Sequence, residues 1–432
     1  MAESSIRELA ERYWTGEANL EGAHHPVMPS VGRAAEELSP GLLYLKSLAS
    51  VTAVDSGDGL VLLDTGGQFD ADHVFGAVRK WRPAAPVRAA VFSHHHVDHV
   101  FGTARFDEEA REAGRPLPVV YGHEAMPANF DRYVRTQGWN AAINQRQFGL
   151  PVDGFTWPAE YRYPDVTYTE RLAARVGELT LELHHGLGET DDATWTWIPE
   201  RRLLHSGDLF IWAVPNAGNP QKVQRYVSEW AAALRQMAGL GAELMVSGHG
   251  LPIFGEERIR AALLDTAELL DTIEDQTLAL MNLGKSLDQI IHEVEFPAHL
   301  LEKPYLRPVY DHPQFLVRNV WRRYGGWYDG EPDNLLPAPR RQQAEEWVSL
   351  AGGVDAVLAR ARALTAAGDH RMACHLVEYA VLTEPASPAV HELRQEIYRA
   401  RSGQQSSSMA RNILGHAAHS SAQGKRDLAG DF

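Results

Sequence analysis

Four residues able to bind a metal, His94, His96, Asp98 and His99, fall within six consecutive positions of the stretch Ser93-His94-His95-His96-Val97-Asp98-His99. This stretch directly follows the apolar run Val87-Arg88-Ala89-Ala90-Val91-Phe92. A strand that ends in such a turn crowds several imidazoles and a carboxylate into one small space. Uncompensated, the imidazoles compete for protons and the carboxylate lacks a partner, which is costly. A divalent cation removes the conflict, because neutral imidazole and carboxylate are its natural ligands. Ligands at i and i+2 can share one ion, and the following Asp-His pair is left for a second. The competing reading is a polar loop with a chance cluster of histidines.

Three further motifs lie downstream, Gly188-Glu189-Thr190-Asp191-Asp192, His205-Ser206-Gly207-Asp208 and Ser247-Gly248-His249-Gly250. Each follows a strand-like apolar run: Leu181-Glu182-Leu183, Leu203-Leu204 and Leu244-Met245-Val246. Together with Asp64 in Leu62-Leu63-Asp64-Thr65-Gly66, the ordered set resembles the metallo-β-lactamase superfamily. The resemblance implies an α+β fold, an αββα sandwich with its ligands on loops at one edge. It further implies that Asp64 buttresses the ligands from behind.

Most of the superfamily carries His where this chain has Glu189, and a Glu there looks like the alkylsulfatase branch. The implied ligand set is His94, His96 and Glu189 on one metal and Asp98, His99 and His249 on the other, with Asp208 as the bridge. Asp98 and Asp208 are the implied catalytic residues. An extra anionic ligand weakens the metal as a Lewis acid and favours ions that accept oxygen. The expected cofactor is a pair of divalent ions, Zn2+ foremost, with Mn2+ and Fe2+ as alternatives. His184 and His185 could in principle replace Glu189 as ligand. The competing reading makes them, like His95 and His205, strand or loop residues with satisfied hydrogen bonds.

Composition bounds the remaining possibilities. The 432 residues suffice for one large and one smaller domain. A net charge of −16 argues against nucleic acid or an anionic membrane as partner. It also means that an anionic substrate needs local positive charge. The single cysteine, Cys374, sits in an apolar helical stretch and excludes internal disulfides or a cysteine-based zinc site. The start, Met1-Ala2-Glu3-Ser4-Ser5-Ile6-Arg7, lacks the pattern of a signal peptide and reads as cytoplasmic. No apolar run approaches the length of a membrane span.

Periodicity supplies the elements. Residues 41–65 alternate and break at Ser56-Gly57-Asp58-Gly59, a hairpin signal, and a helix covers about Ala71 to Lys80. An aromatic and polar insertion from Tyr121 through Arg132 and Tyr133 to Phe148 lies where a substrate wall would be. From Glu256 the pattern turns helical through Ile259, Leu263, Leu270 and Ile273, and Ser286-Leu287-Asp288-Gln289 opens another helix. A Pro-rich aromatic arm follows, ending in Trp321, Tyr324 and Gly325-Gly326-Trp327-Tyr328-Asp329-Gly330. It is expected to lie against the catalytic domain or a second subunit.

Helical hairpins then run from about Pro337 to Ser420, with a stop at Gly368-Asp369 and a start at Ser387-Pro388. They look like a tetratricopeptide-type pair. The Gly325 to Gly330 segment, with Leu350-Ala351-Gly352-Gly353 and Ala366-Ala367-Gly368-Asp369, resembles the dimerisation domain of alkylsulfatases. The expected organisation is a catalytic domain over residues 1–285, an arm over 286–336, a helical dimerisation-like domain over 337–420 and a disordered tail over 421–432. A sterol-carrier-like domain, seen in long members, is not expected.

The resemblance implies a metal-dependent hydrolase acting on an alkyl sulfate ester or related anionic ester with an apolar part. Lactone, thioester and phosphodiester hydrolysis are the alternatives. No Gly-x-Ser-x-Gly motif calls for a covalent intermediate, and His96 in place of Glu argues against the flavo-di-iron branch. An iron dioxygenase or a non-catalytic scaffold would leave the full second ligand set unexplained. Asn216, Asn219 and Arg225, in the segment after Asp208, are the expected substrate contacts, with Arg132 and Arg318 as lesser candidates. The spacing there departs from the long secreted enzymes, which also carry Glu where this chain has Asp208. A homodimer, built by the helices and the arm, is expected.

Overall fold

A computed structural model describes residues 5–18, 25–27, 33–150 and 157–430. Its described residues divide into two compact units. The first draws on residues 1–136, 158–284 and 289–324, and the second on 137–157, 285–288 and 325–432.

Two sheets form the first unit. Strands β1 (Ala34–Ser39), β2 (Leu42–Lys46), β3 (Val51–Asp55), β4 (Leu60–Leu63), β5 (Val87–Val91), β6 (Val119–His123) and β7 (Val166–Tyr168) lie side by side in that order. The first four form an antiparallel meander, and β4 to β7 pair in parallel. Parallel neighbours need crossovers. The helices Ala71–Trp81 and Thr103–Glu112 supply two of them. The second sheet holds β8 (Arg171–Val176), β9 (Leu179–His185), β10 (Thr194–Ile198), β11 (Leu203–His205), β12 (Leu244–Val246) and β13 (Ile253–Phe254). Its parallel pair, β11 and β12, is joined through the helix Val227–Ala238.

These sheets with their covering helices are the expected αββα sandwich. Val74, Val78, Phe106, Met126 and Phe130 bring three helices onto the first sheet in one buried cluster with Leu45, Leu62 and Phe92. Ser56 to Gly59 closes the β3–β4 hairpin as read, with Asp55 opposite Leu60. The expected alternation of burial fails there. Every residue of β2 and β4 is buried, because the sheet is covered on both faces.

From Gln289 to Tyr324 the arm belongs with the sandwich. Asp311 Oδ2 accepts from Gly218 N at 2.8 Å, and Asn319 Oδ1 accepts from Arg225 N at 3.3 Å. The approach is so close that a Cβ on Gly218 would lie 2.3 Å from Leu316 N. The arm therefore sets the path of the chain after Asp208.

The second unit is helical: Arg340–Leu350, Val354–Ala366, His370–Thr383, Pro388–Gly403 and Ser408–Ala422. Val348, Leu358, Ala361, Cys374, Val377, Val390 and Leu393 form its core. The helix Gln137–Phe148 also joins this unit, where Asn412 Nδ2 donates to Gln147 O at 2.8 Å. The expected disordered tail is not what the described residues up to 430 show. Asp427 pairs with Arg146 and with His416, each at 2.9 Å, and Arg426 pairs with Glu378 at 3.0 Å. Charge pairing supplies the order that the polar composition did not announce. Among the described residues no helix is long and apolar enough to cross a membrane.

Candidate metal centre

Every ligand candidate sits just beyond a strand end. β5 delivers His94 and His96, and the helical turn Val97–Val100 carries Asp98 and His99. β9 delivers Glu189, β11 Asp208 and β12 His249. Parallel and antiparallel pairing bring these ends to one edge, and all seven side chains meet there. Two groups result, His94, His96, Glu189 and Asp208 in one, and Asp98, His99 and His249 in the other. Donor atoms within each group lie no more than 4.8 Å apart.

Asp208 reaches both. Its Oδ2 lies 3.8 Å from His94 Nε2 and 3.3 Å from His249 Nε2, and its Oδ1 lies 3.5 Å from His99 Nε2. The backbone opposite has no room for a side chain. A Cβ on Gly248 would fall 2.0 Å from Asp208 Oδ1.

Outer partners fix the imidazoles. Asp64 Oδ2 contacts His99 Nδ1 at 2.8 Å, while its two oxygens accept from Ser93 N and Ser93 Oγ at 2.7 and 2.8 Å. That carboxylate is aimed by an unusual backbone, for Asp64 has φ +56°. His249 Nδ1 lies 2.6 Å from Leu48 O, and His94 Nδ1 lies 2.9 Å from Ser93 Oγ. In each case the second ring nitrogen is left for the centre.

The donor set fits divalent metal. His99 Nε2, Glu189 Oε2 and Asp208 Oδ1 are buried without a hydrogen-bond partner, an expensive arrangement unless a cation completes it. Charges are correspondingly displaced. Burial and the neighbouring His99 push His94 down to about 4, which keeps it in the neutral form that binds metal. Burial and then His94 hold His96 well below the ordinary range. Burial opposes a charge on His249, but Asp208 and Asp98 outweigh it and raise the group to about 10. Glu189 is raised to about 8, chiefly by burial, with Arg225 opposing and Asp208 reinforcing the rise.

Most of the expected substrate contacts have partners within the chain. Arg225 is buried, and its Nη1 lies 3.0 Å from Glu189 Oε1 and donates to the Glu189 carbonyl. Asn216 Nδ2 donates to the same Oε1 at 2.5 Å. Both residues thus touch a ligand candidate, while Asn216 Oδ1 and Arg225 Nε stay buried without a hydrogen-bond partner among the described residues. Asn219 Oδ1 accepts from Gln221 N at 3.0 Å and shapes its own turn. Arg132 donates to Asn129 Oδ1 at 3.0 Å and lies 3.2 Å from His95 Nε2. Arg318 is exposed on the helix Pro313–Gly325, and no contact among the described residues ties it to the centre.

The other histidines are accounted for in part. His184 stacks on Trp195 at 4.0 Å and His185 on His123 at 4.0 Å. His95 Nδ1 lies 2.9 Å from both oxygens of Asp192. His205 differs from the expectation. Its two ring nitrogens have no hydrogen-bond partner, because the nearby Asp64 is already engaged by Ser93 and His99.

Sequence reasoning left several neighbours without a role. Tyr133 packs against His95 at 5.0 Å and His96 at 6.3 Å, and burial holds its hydroxyl well above the ordinary phenol range. Tyr310, from the arm, is buried and feels Glu189 and Asp98. Lys222 lies 5.9 Å from the Tyr133 ring and feels the same two carboxylates. Tyr133 and Lys222 stand in segments that the sequence flagged. Nothing in the sequence links Tyr310 to the centre.

Comparison with known proteins follows the same lines. The pattern of the metallo-β-lactamase superfamily matches residues 46–249, and that of alkyl sulfatase dimerisation matches residues 286–424. A linear primary-alkylsulfatase of Pseudomonas sp. is 27% identical over 369 residues, 80% of this chain and 69% of that protein. An (R)-specific secondary-alkylsulfatase of Pseudomonas sp. is 28% identical over 411 residues, 87% of this chain and 61% of that one. The solved structure of the stereoselective inverting sec-alkylsulfatase Pisa1 from Pseudomonas sp. superposes with a TM-score of 0.83 at 26% identity. That likeness covers 92% of this chain and 66% of the other. The chain thus spans about two thirds of the length of these relatives. With both patterns in succession, the chain carries a metallo-β-lactamase superfamily domain followed by an alkyl sulfatase dimerisation domain.

Proposed function

We propose that the protein is a metal-dependent hydrolase of alkyl sulfate esters. The observation that carries this reading is the pair of adjoining donor groups with Asp208 within reach of both. Alkylsulfatase activity in the named relatives supplies the substrate class.

In this reading His94, His96 and Glu189 hold one divalent ion, Asp98, His99 and His249 hold a second, and Asp208 is shared. Four imidazoles and three carboxylates suit Zn2+. Bound divalent ions supply Lewis acidity and lower the pKa of water toward neutrality. The remaining work falls to the chain. Asp64 and the Leu48 carbonyl hold His99 and His249 in the required orientation. Arg225 and Asn216 occupy Glu189 Oε1 and so leave Oε2 to the centre. Tyr133 and Tyr310 exclude water from one side, and Lys222 offers a cation to the sulfate. Residues 286–424 make the protein a homodimer, and the single cysteine suits a cytoplasmic setting.

The test is a purified-protein screen with metal analysis. Inorganic sulfate should be released from alkyl sulfates of several chain lengths by protein that holds close to two ions per chain. Faster turnover of a phosphodiester, lactone or thioester, with no sulfate released, overturns the substrate assignment. Full activity in metal-free protein overturns the chemistry.

A further inference from the structure

The helical unit contains a cavity of about 630 Å³ whose wall is cationic, in a chain of net charge −16. Arg146, Arg340, Arg394, Arg401 and Arg426 line it, against only two carboxylates, Glu378 and Asp427. Three guanidinium charges are therefore in excess.

Glu378 shows how this wall treats an anion. Its Oε1 accepts from Arg394 Nε at 2.6 Å and from the Tyr398 hydroxyl at 3.0 Å, and its Oε2 accepts from Arg426 Nε at 3.0 Å. Arg394 is itself only 3% exposed and is anchored to Ala417 O and Ser421 Oγ at 3.0 and 2.7 Å. Asp427 occupies Arg146 Nε at 2.9 Å. Among the described residues no ion pair engages Arg340 or Arg401. Apolar surface from Tyr379, Ile413 and Leu414 completes the lining.

Each of these features points to a ligand of one kind. Guanidinium forks match tetrahedral oxyanions in geometry as well as charge. The volume falls in the range of small-molecule sites and exceeds what a bare oxyanion fills. Beside the paired arginines, Arg340 and Arg401 carry charge that no carboxylate among the described residues neutralises, and Arg401 contacts the uncharged Cys374 thiol, which leaves both for a doubly charged head. The apolar side chains require something for that head to carry. We propose that this cavity binds a small organic phosphomonoester, its phosphate held by Arg340 and Arg401 and its apolar or aromatic body against Tyr379 and Leu414.

Calorimetric titration of the full chain with phenyl phosphate, inorganic phosphate and phenol tests the assignment. Phenyl phosphate should bind, inorganic phosphate at least tenfold more weakly, and phenol not measurably. Arg401→Gln should weaken phenyl phosphate at least tenfold and leave alkyl sulfate turnover unchanged. Arg340→Gln, at an exposed position with no ion pair among the described residues, should do the same and guards against a folding defect. A second phenyl phosphate event at the metal centre would survive both substitutions. Absence of binding, as when a second copy of the chain covers the cavity, overturns the proposal. Equal affinity in wild type and both variants also overturns it. Inorganic phosphate binding as tightly as phenyl phosphate overturns the organic body.

Discussion

Arg225 and Glu189 form a buried ion pair at 3.0 Å, and the same arginine also grips the Glu189 backbone carbonyl. The two residues are 1% and 2% exposed, so neither finds water as a substitute partner. Their pairing makes Arg225 part of the frame that presents Glu189.

Removing the arginine leaves a buried carboxylate without its partner, a loss of about 3–5 kcal/mol in comparable sites. Arg225→Ala should therefore lower thermal stability and metal content together, with metal falling from about two ions toward one. Glu189→Gln should weaken the same ion with the fold intact, and Glu189→His should restore it. Elemental analysis and thermal melts read both effects. Arg225→Ala protein with full metal and a raised KM alone would return the arginine to the substrate.

Asp208 should be the least replaceable carboxylate. Among the described residues, Asp208 is the one acid within reach of His94, His99 and His249 together, so metal content and kcat should both collapse in Asp208→Ala. Gly248→Ala should approach the same phenotype without deleting a donor atom, because its Cβ needs the space of Oδ1. Normal metal content in Gly248→Ala would show that the loop yields.

Lys222 should bind the anionic end of the substrate. Burial, reinforced by Arg225, brings its ammonium down to about 8, while Asp98 and Glu189 act the other way. The group is charged below that value and neutral above it. KM for an alkyl sulfate should accordingly rise as pH climbs through 8. Lys222→Arg should flatten that rise, and Lys222→Met should raise KM about tenfold below pH 8, roughly one charge-assisted hydrogen bond, with the difference from wild type shrinking above it. An unaltered KM in Lys222→Met dismisses the residue.

The dimer should be held by the helical unit. Trp347 and Leu350, on one helix, are 58% and 78% exposed, and aromatic anchors of this kind are frequent in interfaces. Light scattering should give twice the chain mass for wild type and about the chain mass for Trp347→Glu with Leu350→Glu. A monomeric wild type at micromolar concentration refutes the dimer. A dimeric double variant places the interface elsewhere.

The metal centre was legible in the linear chain because each ligand cluster is local. His94 to His99, Glu189, Asp208 and His249 each stand directly after an apolar run, and a strand can only end where its side chains are released to a loop. Helices at Ala71 and Glu256, the Ser56–Gly59 hairpin and the helical hairpins were legible for the same reason, since period and turn chemistry act within a few residues. What those residues pair with was not local. Arg225 meets Glu189 across 36 positions, and Asp427 meets Arg146 across 281. Arg318 is exposed to solvent while Leu316, Val317 and Val320 of the same helix are buried. Tyr310 reaches the centre only because Asp311 and Asn319 tie the arm to Gly218 and Arg225. Which charges face each other is decided by packing, because an ion pair is selected by burial and distance in the folded chain and leaves no periodic trace along it.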